Sequence, residues 1–278
     1  MQRPLRAFCL AALLAAAAVA HAAIDRPDAE SLVRKSGLWE QLSGVAAQIE
    51  AGLEQAMTRT DADLADSERA RIAHVVQAAY APERLRAISA DVIAARTQPE
   101  HLRELRTWFD SPSGQAVARA EETPLPHEGD AEASMRAGLR LLVSMPGERR
   151  RLLEDLLAAT HAAEGMVQIT ISTTVAVQLG AASALQEGRA VSPAQVRAAL
   201  ESQRPEMLKS FTRMSLANFA QTYDPIPSEE LRAYLDFIRS PAGAAFNEAS
   251  LQALDTALTE AAMEMGRYLP GTRDRSNV

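Results

Sequence analysis

Three side chains in the second half of the chain have types and a spacing that could bind a metal ion. His161 and Glu164 are one helical turn apart, and Glu154 lies two turns before His161. A helix over these positions would place an imidazole and two carboxylates on one face, and these groups bind zinc. A di-metal helical bundle needs a Glu-x-x-His pair on each of two helices, however, and the sequence has no such pair. We therefore expect an ordinary polar helix face, and we keep a metal-assisted hydrolase as the alternative function.

Signatures of familiar catalytic sites are absent from the sequence. It contains no Gly-x-Ser-x-Gly elbow, no Ser-x-x-Lys, no His-Glu-x-x-His and no glycine-rich phosphate loop. Two adjacent acid pairs, Glu121 with Glu122 and Glu229 with Glu230, stand at predicted helix ends. Neighbouring side chains on a helix do not face a common point, so paired acid–base catalysis is not expected from them. We predict no catalytic residue and no cofactor.

A short phrase occurs twice and predicts a helix corner. "RTWFDSPSG" at 106–114 returns as "LDFIRSPAG" at 235–243, an offset of 129 residues. The serine must leave helical geometry because proline follows it, and its hydroxyl can cap the next helix, in which proline suits the first position. The glycine allows another backbone to approach closely. The residues concerned are Ser111, Pro112 and Gly114 in the first copy and Phe237, Ser240, Pro241 and Gly243 in the second. No histidine or lysine stands near Ser240 in sequence, so we interpret the motif as structural rather than nucleophilic.

A second correspondence extends the repeat towards the start of each half. At an offset of 124, Leu32 falls on Leu156 and Glu40 on Glu164, while Gly37 stands where the second copy has His161. The two halves are predicted as 23–122 and 131–266, with a linker over 123–130 and a frayed tail over 267–278.

The hydrophobic pattern throughout both halves has helical spacing, and it predicts an all-α, multi-helix bundle built from two duplicated halves. We expect one long helix from Leu152 to about Ala184, although residues 167–177 alternate as a strand would. The correspondence with the first half favours helix there. Aromatic residues make up only 4% of the chain, so the core must consist mostly of aliphatic side chains and alanine, which suits closely packed helices.

The first 22 residues are typical of a secretory signal. Arg3 and Arg6 precede an apolar run that ends in Ala20-His21-Ala22, a cleavage pattern, and the run is shorter than the roughly 20 residues of a spanning helix. We expect a periplasmic or secreted mature chain that starts at Ala23 and is not a transmembrane protein. Cys9 is the only cysteine. Cleavage would leave 27 basic against 36 acidic residues, a charge of −9, which argues against nucleic acid as a partner.

The second half resembles a known bacterial family. "SLANFAQTYDPIPSEELRAYLDFIRSPAGAAF" at 215–246, with "LLAATHAAEGM" at 156–166 upstream, is similar to the family called domain of unknown function 2059, whose hallmark is Phe-x-x-Ser-Pro-x-Gly. The resemblance covers most of 131–265 and, more faintly, 29–122. It implies an exported, all-helical protein. It implies no reaction, substrate or catalytic residue.

Three functional hypotheses are compatible with these patterns. The first is a helical binding or protein-interaction module of the cell envelope, with a groove between its halves for a peptide, a small ligand or an envelope protein. The second is the metal-assisted hydrolase centred on His161, Glu164 and Glu154. The third is a structural protein that forms a homodimer.

Overall fold

A computed structural model describes residues 24–59, 65–123, 131–184 and 192–268, and within these ranges all regular structure is α-helical. The predicted all-α bundle is confirmed. Its helices are α1 (Arg26–Lys35), α2 (Leu38–Arg59), α3 (Asp66–Ala79), α4 (Pro82–Arg96), α5 (Pro99–Asp110), α6 (Pro112–Glu122), α7 (Ala131–Ser144), α8 (Gly147–Thr160), α9 (Ala162–Ala184), α10 (Pro193–Ser202), α11 (Arg204–Thr222), α12 (Ser228–Arg239) and α13 (Pro241–Tyr268). The signal segment, most of the linker and most of the tail predicted above lie outside the described residues.

Both copies of the repeated phrase form the expected corner between two helices. Ser111 separates α5 from α6, and its Oγ accepts a hydrogen bond from the amide of Gly114 at 3.0 Å. Ser240 separates α12 from α13, and its Oγ accepts from the amide of Gly243 at 3.1 Å. Each serine has extended backbone angles, as a residue before proline should. The capping role predicted for both hydroxyls is confirmed.

The glycines of the two corners are required by close backbone approach. A Cβ atom on Gly114 would lie 2.1 Å from the carbonyl oxygen of Trp108, and one on Gly243 would lie 1.9 Å from that of Phe237. Carbon and oxygen atoms cannot come so close without displacing the backbone. The corner can therefore turn this sharply only with glycine at the third position after serine.

The prediction of a single helix from Leu152 to about Ala184 is wrong, because the chain turns at His161. His161 has φ 52° and ψ 30°, a left-handed conformation that ends α8 before α9 begins. Histidine tolerates this region better than most residues other than glycine. Among the residues that the structure describes, the other positive φ belongs to Gly37, which breaks the chain between α1 and α2 in the same way. The two turns are 124 residues apart.

Residues 167–177 are helical, as predicted, despite their strand-like alternation. The hydroxyls of Thr170, Thr173 and Thr174 each donate to the carbonyl four residues earlier at 2.7 Å, which satisfies these polar groups inside the helix.

Helix α9 is long and apolar enough to cross a membrane by length and composition. Its packing against α13, α11 and α10 accounts for the same apolar character.

Several of the helix contacts among the first six helices have counterparts among the last six. Helix α1 packs against α2, α4 and α5, and α2 packs against α3 and α4. In the second half α8 packs against α9, α11 and α12, and α9 packs against α10 and α11. Helix α7, which packs on α11, follows the first six and precedes the last six.

Helix α13 joins the two halves into one hydrophobic core. It packs against α9 and α12 of the second half and also against α3, α4 and α5 of the first. The buried alanines Ala253, Ala257 and Ala261 recur every four residues, and they allow neighbouring helices to lie close. Buried side chains from both halves, including α1 and α13, belong to one contiguous cluster, and Val167, Ile171 and Val175 of α9 form a second, smaller cluster with side chains of α10 and α11.

Candidate functional site

A cavity of about 430 Å³ lies where the two halves meet. The turns at Gly37 and His161 border it through their neighbours, Ser36 and Leu38 in one case and Thr160 and Ala162 in the other. Helices α5, α6, α11, α12 and α13 supply most of the rest of its wall. Its volume is in the range of sites that bind small molecules.

Stacked aromatic rings from both copies of the repeated phrase form one wall. The ring of Trp108 lies parallel to that of Phe237, with centroids 4.6 Å apart and 8° between the planes. It is also parallel to Tyr234, at 5.8 Å and 9°. Phe109 meets Phe237 edge to face at 5.9 Å. Trp108 and Phe237 are equivalent positions of the two copies, so the copies contact each other at this wall.

A single carboxylate, Glu121 at the end of α6, is held in the cavity by two tyrosines. The hydroxyl of Tyr223 donates to its Oε1 at 2.6 Å, and the hydroxyl of Tyr234 donates to the same oxygen at 3.1 Å. Oε2 has no hydrogen-bond partner among the described residues. Tyr223 is the residue that directly follows α11 and Tyr234 lies in α12, so the ends or bodies of three helices fix the position of this acid.

The surroundings of Glu121 raise its pKa to about 7. Burial is the main cause, because it penalises the charged carboxylate, and the nearby charge of Glu122 acts in the same direction. The hydrogen bonds from Tyr223 and Tyr234 oppose the shift. Burial also raises the pKa of both tyrosines well above the usual range, and the charge of Glu121 adds to this. At neutral pH the tyrosines are therefore neutral donors, and the protonated and charged forms of Glu121 are both populated.

The remaining polar groups of the cavity are neutral. The described lining contains no arginine, lysine or histidine. Ser250 of α13 lines the cavity, and its buried Oγ has no hydrogen-bond partner among the described residues. The side-chain amide of Asn247 donates to the carbonyl of Thr160 at 2.9 Å, which ties α13 to the end of α8. The cavity thus combines an aromatic wall, a few neutral polar groups and one acid.

The metal-ligand candidates are exposed and lie outside this cavity. His161, Glu164 and Glu154 are all on the surface, and Glu154 is paired with Arg150 at 3.7 Å. Across the described ranges no three histidine, aspartate or glutamate side chains converge on a common point. The arrangement proposed from their spacing fails because His161 ends one helix, so Glu154 and Glu164 belong to different helices.

Of the repeated phrase, the structure brings Trp108, Phe109 and Gly114 of the first copy and Phe237 and Ile238 of the second to the cavity wall. The capping serines and the prolines are not part of the lining that the structure describes. These residues position the wall, since each corner orients the helix that carries its aromatic side chain.

Glu121 is the site residue that sequence reasoning missed. Its place beside Glu122 suggested an exposed acidic helix end. The repeat contains a signal that could have identified it, because at the offset of 129 Glu121 falls on Ser250. The structure places both equivalent positions on the wall of the same cavity.

Comparison with known proteins yields no match: no family model, no curated protein sequence and no solved structure is significantly similar to this chain.

Proposed function

We propose that this protein is an exported binding protein of the cell envelope whose ligand occupies the cavity between its two halves. The single observation that carries the proposal is the cavity itself, with parallel aromatic rings on one wall and the tyrosine-held carboxylate of Glu121. Small-molecule sites have this composition, mostly apolar with a few fixed polar groups. Export is proposed from the signal-like segment at 1–22.

We further infer that the two halves arose by duplication, in line with the resemblance to the domain of unknown function 2059 family. The recurrence of helix order, helix contacts, left-handed turns and Ser-Pro-x-Gly corners supports this inference. Under this proposal the cavity lies on the approximate symmetry axis, where equivalent residues such as Trp108 and Phe237 meet. The equivalent positions Glu121 and Ser250 then diverged, so that one side of the cavity carries a carboxyl group and the other a neutral hydroxyl.

Native mass spectrometry of the mature protein purified from its own periplasm tests the proposal. We expect a small molecule to travel with the native protein and to be released on denaturation. The intact mass should correspond to a chain that begins at Ala23, which tests export in the same spectrum.

The matched control is Ser250→Leu. Leucine would occupy part of the cavity and remove a buried hydroxyl that has no partner in the described part of the chain, so we expect a folded protein that retains no ligand. A small molecule retained equally by both proteins would place the ligand elsewhere. A bare homodimer in both preparations would favour the structural hypothesis.

A further inference from the structure

We propose that the ligand of this cavity is an organic cation, an ammonium or amidinium group on a compact apolar or aromatic body, and that Glu121 binds the cationic group. This inference rests on the proposed function, because it assigns a chemical class to the ligand of the same cavity.

Charge complementarity is the first argument. Glu121 lines a cavity whose described wall contains no basic side chain, so no cation among the residues that the structure describes neutralises it there. The titratable groups that face it are Tyr223 at the C-terminal end of α11, Tyr234 on α12 and its neighbour Glu122, and none of these carries positive charge. A partly buried carboxylate without a counter-ion carries a desolvation cost, and a ligand cation would reduce that cost.

The geometry of the carboxylate is the second argument. Both tyrosine hydroxyls donate to Oε1, which fixes the orientation of the carboxyl group and leaves Oε2 without a protein partner among the described residues. An N–H group of a ligand could donate to Oε2 without displacing either tyrosine. Hydrogen bonds between an ammonium and a carboxylate are among the strong ones.

The aromatic wall is the third argument. Trp108 and Tyr234 line the cavity beside Glu121, and electron-rich rings attract cations as well as stacking on apolar groups. Trp39, the other tryptophan of the chain, differs from Trp108 because basic side chains of the protein cover its ring. The guanidinium groups of Arg34 and Arg86 lie over the ring of Trp39 at 3.4 and 4.0 Å from its centroid, whereas no described basic residue lies over Trp108.

Coupling to pH follows from this arrangement. Below about pH 7 the carboxyl of Glu121 is mostly protonated in the empty cavity, so a cation must displace that proton in order to bind. Above about pH 7 the carboxylate is already charged. Affinity for a cation should therefore rise as the pH is raised through this value, by at most about tenfold per pH unit below it.

Three probes of similar size and different charge test the inference on the full mature chain. They are 2-phenylethylamine, 2-phenylethanol and 3-phenylpropanoate, titrated by calorimetry at about pH 8. We expect the amine to bind roughly tenfold or more tightly than the alcohol, and the anion to bind least. Lowering the pH to about 6 should weaken binding of the amine and leave binding of the alcohol unchanged.

The variant Glu121→Gln keeps an oxygen for both tyrosines and removes the charge, so we expect it to fold and to lose the preference for the amine. Glu122→Gln is the matched control, because it removes the same charge from the exposed neighbouring residue. It should retain the preference. The pH dependence of the unmodified protein tests the same point without any variant.

Two results would overturn the inference. The first is equal affinity for the amine and the alcohol, or better binding of the anion. If Ser250→Leu then abolishes binding of all the probes, the cavity remains a ligand site and only the cation assignment fails. The second is an amine that does not bind at millimolar concentration. The proposed function is judged separately, by the molecule that travels with the purified protein.

Discussion

At the scale of single residues, Glu121 should lower the free energy of unfolding as the pH rises, whereas most carboxyl groups of folded proteins raise it. Its pKa is raised to about 7 in the folded protein, above the ordinary value near 4.3 that applies in the unfolded chain. Between these two values the folded state holds a proton that the unfolded state releases. The stabilisation is complete below the unfolded pKa and is lost as the pH rises through about 7.

Urea unfolding at a series of pH values from about 5 to about 8 measures this effect. We expect the free energy of unfolding of the unmodified protein, relative to that of Glu121→Gln, to decrease as the pH rises towards about 7 and to level off above it. Glu122→Gln should follow the unmodified protein, because its carboxyl is exposed. Parallel curves for the unmodified protein and Glu121→Gln would show that Glu121 does not titrate in this window.

The role of Glu121 could not be predicted from its local sequence. Its two hydrogen-bond partners, Tyr223 and Tyr234, are 102 and 113 residues away, and no local pattern encodes contacts at that separation. The role of the capping serines, by contrast, was predictable from local sequence. The proline that directly follows each serine and the glycine three residues after it determine the geometry of the corner. The local sequence therefore predicts the helix corners that position the site, whereas the role of Glu121 depends on tertiary structure.

At the scale of elements, the corner between α12 and α13 allows a quantitative prediction. Ser240→Ala removes the hydroxyl that accepts from the amide of Gly243, so it should cost about 1 kcal/mol of stability. Gly243→Ala should cost more, about 2 to 3 kcal/mol, because its Cβ would lie 1.9 Å from the carbonyl oxygen of Phe237 and the corner would have to open. The urea midpoint measures both changes.

Gly52→Ala is the control for the glycine substitution. A Cβ there meets nothing within 4 Å, and the position lies inside α2, so alanine should stabilise the protein by up to about 1 kcal/mol. Equal losses for Ser240→Ala and Gly243→Ala would contradict the close-approach account. An unchanged midpoint for Ser240→Ala would contradict the cap.

The helices themselves were largely predictable, and the exception has a physical reason. Residues 167–177 had the alternation of a strand, yet they form a helix because their tertiary neighbours are helices. The break at His161 was missed because histidine is not a usual helix breaker. The equivalent Gly37 is one, and the offset of 124 connected the two positions.

At the scale of the whole molecule, sequence periodicity predicted an all-helical protein correctly but could not show how the two halves pack. Helix α13 belongs to the second half in sequence and covers α3 and α4 of the first half. The salt bridge between Arg84 and Glu264, at 3.3 Å, joins α4 to α13. The hydrogen bond from Arg71 to the carbonyl of Tyr268, also 3.3 Å, joins α3 to it. Periodicity within a helix identifies a buried face but not the partner that covers it.

This sharing of α13 leads to a prediction about folding. Residues 23–123 expressed alone should not fold cooperatively, because without α13 the apolar faces of α3 and α4 are exposed to water. The full chain should unfold in one transition.

Circular dichroism during heating compares the two, and a protease site placed between residues 123 and 131 supplies the control. After cleavage both parts should still elute together with the original melting temperature, because one core holds them. A sharp, independent melting transition for residues 23–123 would instead show two domains, and the cavity would then lie at a domain interface that could open to admit its ligand.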